Sequence, residues 1–184
     1  MRTIYAAMIM RQPTLQDGYA WLARLDMNTK DYTADPTQLY LRLAREEADL
    51  SLWNMPDILL QVSEYQYPFG WLIPYSGTPV LTDGIALVKD GPNLDIAKEF
   101  YEMATSDSAM VYQAREYFRI PVRQDLNPAD LPDWIGATEI NAMPMDWARM
   151  TEEAAGWLQY WDENIKGRGA EWLEANGYEV ATAP

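Results

Sequence analysis

Three helical segments open the chain before any stretch with strand periodicity appears, and that order limits the folds open to it. Residues 3–12 place Ile4, Ala7, Met8 and Arg11 three or four positions apart, the spacing that lines up one face of a helix. Thr14 has an N-cap side chain, and Leu15, Tyr19 and Leu22 form one face of a helix to about Arg24. Asp35-Pro36 is a cap followed by a proline whose fixed φ suits the first helical position. The helix it opens runs to about Glu47, with Leu39, Tyr40 and Leu43 as its stripe. Strand-like alternation starts only at Asp49–Trp53 and returns at Phe69–Ile73 and Gly84–Val88.

Between these strands Pro56 opens a helix to about Tyr65, while 75–79 and 89–93 are turn-rich. Asn93 caps an amphipathic helix that turns Ile96, Ala97, Phe100, Met103 and Ala104 inward. Another helix covers about 107–117, and Pro121 keeps 119–123 extended. Residues 126–145, rich in Pro, Asn and Asp, read as loop with one short helical turn. A long helix over about 146–166 carries Trp147, Met150, Ala154, Trp157, Leu158 and Trp161, a spacing that marks core. Gly167 stops it, and a short helix and a polar tail follow. The expected class is therefore α/β, helix-rich with few strands, as though a sheet belonging in front were missing.

Composition removes whole classes of chemistry. The 184 residues contain no His and no Cys, which excludes thiol nucleophiles, His bases, Ser-His-Asp triads and nearly every zinc site. Neither a cofactor nor a metal is expected. Fourteen basic against 28 acidic residues leave a net charge of −14, opposite to what nucleic acid or an anionic membrane attracts. The N-terminal stretch has a short apolar run broken by Arg11, without the longer core and small-residue cleavage site of an export signal. Adjacent acidic pairs, Glu46-Glu47 and Glu152-Glu153, point in different directions on a helix and do not converge as an acid–base pair would.

Four pieces between Glu46 and Leu126 resemble extracytoplasmic solute-binding proteins of ABC importers, of the family 1 and iron or polyamine types. They are Glu46-Glu-Ala-Asp49 with Leu50–Trp53, the loop Ile73-Pro74-Tyr75-Ser76-Gly77-Thr78-Pro79, the run Gly84–Lys89 with Gly91–Asn93 and Ala97–Phe100, and Tyr117–Asp125. The resemblance implies a partial type II periplasmic-binding-protein fold with the first lobe largely missing. Residues 1–80 would then belong to the second lobe, 81–124 to the returning strand and helices of the first, and 125–184 to a C-terminal helical segment. It implies a periplasmic or extracellular location, a small-molecule solute, an ABC permease as partner, and either a missing N-terminal lobe or a homodimer mate.

On that plan Trp53 stacks on the solute and Asn54 hydrogen-bonds it. Each also has a plain structural use, as a core ring and as a helix cap before Pro56. Tyr75, Ser76, Gly77 and Thr78 offer hydroxyls and close backbone approach, or form an ordinary turn. Asp83 stands where relatives bind amines, although Asp before Gly is also a common turn. Arg2 and Thr3 at a helix start would hold an anion. The loop Asn54-Met55-Pro56-Asp57 lacks the tyrosine pair of ferric-ion binders, and Tyr65 and Tyr67 read as packing. The solute class stays open among polyamine, organic anion, phosphonate and iron complex. Two other readings stand beside this one: a ligand-free interaction or regulatory domain built on the same fold, and, with less in its favour, an enzyme using carboxylates.

Overall fold

A computed structural model describes residues 2–180, and the far end of the polar tail lies outside them. Nine α-helices occur among the described residues: α1 Arg2–Arg11, α2 Leu15–Met27, α3 Pro36–Ala44, α4 Met55–Ser63, α5 Leu94–Ala104, α6 Asp107–Glu116, α7 Asp133–Ala137, α8 Trp147–Tyr160 and α9 Gly169–Ala175. A 3₁₀ turn at Pro128–Asp130 precedes α7, and a π-helical segment, Trp161–Ile165, continues α8. Two caps act as the sequence placed them: the Thr14 hydroxyl accepts from Asp17 N–H, and the Asp35 carboxylate accepts from Thr37 N–H; Asn93 precedes α5, but its side chain makes no cap hydrogen bond.

The chain divides into two compact bodies, Met1–Leu52 with Ala142–Pro184, and Trp53–Asn141. The first has a true core. In it α1 packs on α2, α2 on α9 and on the π segment, and α1 on α8. Ile9, Leu22, Trp161, Ile165 and Leu173 are fully enclosed. Rings make up much of this core. Tyr19 stacks on Tyr160 at 4.4 Å, and Tyr5 and Tyr32 meet Trp161 at 5.4 and 5.9 Å. Burial pushes the Tyr5, Tyr19 and Tyr32 hydroxyls above their ordinary pKa, and at Tyr32 a hydrogen bond to Asp26 adds to the effect.

The second body is built differently. Its helix α5 rests on α6, and Trp134 on α7 donates to the Ala114 carbonyl at 3.1 Å while its ring meets Phe118. Of seventeen buried apolar residues among the described ones, fourteen lie in the first body. Only Leu59, Ala114 and Leu126 lie in the second.

Three expectations are corrected. The chain is helical and not α/β: among the described residues no ladder extends beyond an isolated bridge, so the partial type II periplasmic-binding-protein fold expected from the sequence is not the fold adopted. The segments 49–53, 69–73 and 84–88 alternate as strands do, but a strand exists only against a partner. Most of their apolar residues face water instead, Leu50 at 80 % and Val88 at 76 % exposure, while Trp53, Phe69 and Ile73 are half-buried. Second, of the α5 residues expected inside, Ile96, Phe100 and Met103 are all more than half exposed, while Ala97 and Ala104 are half-buried, as is Tyr101 beside them. Third, of the Trp-rich stripe, Trp157 and Trp161 are core and Met150 packs against it, but Trp147 is exposed.

Candidate functional site

Each residue group singled out in the sequence is held by a side chain that the sequence reading did not assign to it. Trp53 and Asn54 converge on one carboxylate in the first turn of α4. Asp57 Oδ2 accepts from Trp53 Nε1 at 2.9 Å and from Asn54 Nδ2 at 3.4 Å. Asn54 occupies the N-cap position, but its side chain makes no cap hydrogen bond. Asp57 takes both side-chain donors, fixing the polar edge of the half-buried indole.

The loop after Pro74 is a tight turn closed by Gly77 N–H donating to the Pro74 carbonyl at 2.9 Å. Gly77 has φ +109° and is buried, a conformation that residues with a Cβ rarely adopt. Asn141 holds both sides of the turn. Its amide donates to the Tyr75 carbonyl at 3.0 Å, and its own carbonyl accepts from Thr78 N–H at 3.0 Å. Held from behind, the turn presents Tyr75 at 98 % exposure with Ser76 exposed beside it. An exposed ring and hydroxyl on a clamped backbone suit stacking and hydrogen bonding to a polar molecule.

Asp83 is exposed and pairs with Arg119 Nη1 at 3.1 Å, so a cation arriving there would compete with Arg119. No hydrogen bond or ion pair among the described residues joins the Asp57, Asn141 and Arg119 groups to one another. In the first body, Arg2 begins α1 and is paired with Asp162 of the π segment, with Thr3 half-buried next to it. An anion at that helix start would meet an arginine already neutralised. The strongest ion cluster lies elsewhere: Arg123 grips Asp125 through two bonds of 2.9 and 2.6 Å and reaches Asp107 at 2.5 Å. The guanidinium draws the Asp125 carboxyl below its usual pKa. This cluster ties the start of α6 to the segment after Pro121. No group of acidic residues among the described ones is arranged to hold a metal ion.

The chain is similar over 86 residues, at 30 % identity, to a protein of Sinorhizobium fredii (strain NBRC 101917 / NGR234) described as a probable ABC transporter periplasmic-binding protein, y4fP. The match takes in 45 % of this chain and 24 % of that protein, so it spans about a quarter of the relative's length. No known family profile matches the chain, and no solved structure does. No helix among the described residues is long and apolar enough to cross a membrane.

Proposed function

We propose that this chain is part of a solute-binding component of an ABC importer, holding a small polar solute for delivery to a permease outside the cytoplasm. The observation that carries the reading is the partial similarity to a periplasmic-binding protein. The clamped turn supports it, because binding sites need polar groups fixed before the ligand arrives. In this reading Tyr75 stacks on the solute, and Ser76, Thr78 and the backbone at Gly77 hydrogen-bond it. Trp53 and Asn54 offer a second ring and amide, and Asp83 receives a cationic group released from Arg119; Arg2 and Thr3, which belong to the other body, are a separate candidate for an anion. About three quarters of the relative's length lies outside the match, so the reading rests on these segments alone. A second reading, an interaction module without a ligand of its own, is favoured by the exposed apolar residues of the second body.

A thermal-shift screen of the purified chain against polyamines, amino acids, sugars, phosphonates, organic anions and ferric complexes decides between them. A ligand of the folded state present at a hundred times its dissociation constant stabilises by about 2.7 kcal/mol, a rise of several degrees. The expected hit is lost in Tyr75→Ala and, for a cationic solute, weakened in Asp83→Ala, while the ligand-free melting temperatures stay unchanged. A hit indifferent to both substitutions removes Tyr75 and Asp83 from the site while keeping a solute-binding role, and no hit from a folded sample leaves the interaction module.

A further inference from the structure

Of the seven asparagines in the chain, one precedes a glycine, in Asn176-Gly177. Asparagine is among the thermolabile residues, and the reaction that consumes it draws on the next residue. The backbone nitrogen of that residue attacks the side-chain amide carbon, and a glycine leaves the nitrogen without a side chain beside it. The pair lies exposed at the C-terminal end of α9, in the first body.

The fold holds the pair away from this reaction. Ring closure needs the Gly177 nitrogen on the same side of the Cα–C bond as the Asn176 Cβ. Asn176 has ψ 9°, which instead eclipses that nitrogen with the residue's own backbone nitrogen. The reacting groups are also engaged. Gly177 N–H donates to the Glu174 carbonyl at 3.2 Å, so removing its proton breaks a hydrogen bond. Asn176 Nδ2 donates to the Trp172 carbonyl at 2.8 Å, and its Oδ1 accepts from Gln16 Nε2 of α2 at 2.9 Å. Tyr178 follows directly. Its N–H bonds the Leu173 carbonyl at 2.9 Å, its ring stacks on Trp172 at 6.0 Å, and its hydroxyl donates to Asp17 Oδ1 of α2 at 3.3 Å. The segment after α9 is therefore a strap onto α2, and the reactive pair anchors it.

We propose that Asn176-Gly177 is a covalent modification site, kept latent by the cap of α9, and that its conversion releases the Tyr178 strap from α2. When the cap opens, the Gly177 nitrogen gives its proton to solvent base and bonds to Asn176 Cγ. The Cγ–Nδ2 bond breaks, and Nδ2 takes up a proton and leaves as ammonia. Water then opens the cyclic imide. Cleavage at Cγ leaves aspartate, and cleavage at the backbone carbonyl leaves isoaspartate, with the chain rerouted through Cβ. One water is consumed and one ammonia released, with no change of oxidation state. Either product removes the donor to Trp172 and places a carboxylate at the negative end of the helix dipole. Isoaspartate also lengthens the backbone, which displaces Gly177 and Tyr178 from their bonds to Glu174 and Leu173. None of this depends on solute binding.

Peptide mapping by mass spectrometry tests it, after incubation of the full chain at mildly alkaline pH with and without unfolding urea. In urea, position 176 should convert before the other asparagines. In the folded chain the same conversion should be on the order of tenfold slower or more, because it waits for local opening. Gln16→Ala removes the bond to Oδ1 and should raise the folded rate roughly two- to tenfold, the range of one hydrogen bond, without changing the rate in urea. The isoaspartate form, separated on anion exchange by its added negative charge, should be cut by chymotrypsin after Tyr178 faster than the unmodified chain. Equal rates in folded and unfolded chains overturn the proposal, as does earlier conversion of another asparagine in urea. A folded rate indifferent to Gln16→Ala, or a Tyr178 equally protected before and after conversion, overturns it too.

Discussion

Asp26 joins parts of the chain about 140 positions apart. Its Oδ1 accepts from Tyr32 Oη at 2.7 Å and from Gly167 N–H at 2.8 Å, and its Oδ2 accepts from Gly169 N–H at 2.8 Å. The buried carboxylate thus satisfies two backbone donors at the turn into α9. The contact is possible only because position 169 has no side chain: a Cβ there would lie 2.3 Å from the Ala23 carbonyl oxygen and 3.0 Å from Asp26. A carbonyl inside α2 cannot move aside without breaking the helix. Gly169→Ala should therefore cost about 2–3 kcal/mol, in the range of core overpacking, read as a fall in the urea midpoint. Gly156→Ala in α8, where nothing lies within 4 Å, should stabilise by about 0.5–1 kcal/mol from helix propensity alone. Similar effects at the two sites would show that the close approach at Gly169 is not real. Little of this detail was legible in the sequence. Trp53 and the turn at 75–78 stood out by residue type, whereas Asn141, which holds that turn, lies 66 positions from Tyr75 and carries no local mark.

Helix starts are legible because a cap is a local interaction. Thr14 and Asp35 bond amides three and two residues onward, within the span that pattern reading covers. Strands failed for the opposite reason. Alternation at 84–88 records which residues would share a face but not whether another strand lies alongside. Helix ends fall between these cases, and α3 shows why. It stops at Ala44 rather than near Glu47, and Glu46 takes the left-handed conformation at φ 58°. Glu46 N–H bonds the Leu43 carbonyl and Glu47 N–H bonds the Arg42 carbonyl, each at 3.0 Å, the pairing of a Schellman ending that glycine normally serves. α9 closes the same way with Gly177 at φ 75°: Gly177 N–H reaches Glu174 and Tyr178 N–H reaches Leu173. Since a side chain in this conformation costs about 1–2 kcal/mol and glycine's extra freedom returns part of it, Glu46→Gly should stabilise by about 0.5–1 kcal/mol. The melting temperature should rise by about 2 °C. A fall would mean that the Glu46 side chain makes a contact outweighing its backbone strain.

At the scale of the molecule, the two bodies differ in what holds them folded. Ordering a residue costs roughly 1–2 kcal/mol of backbone entropy, and burial of apolar side chains is the main opposing contribution. Fourteen buried apolar residues serve the first body, and three serve the 89 residues of the second. Seventeen large apolar residues of the second body are exposed rather than gathered into a core, and a period in the sequence names an apolar stripe without telling inward from outward. Opening free energy should follow this division. Native-state hydrogen exchange at high dilution, where any association is lost, should show amides of α1, α2, α8 and α9 exchanging near the limit of global unfolding. Those of α4, α5 and α6 should exchange through an opening at least about 2 kcal/mol cheaper, roughly thirtyfold faster, because this body can unfold while the first remains intact. Uniform protection across all helices at dilution would show that the second body draws its stability from the first, and the chain would then have to be treated as one cooperative unit.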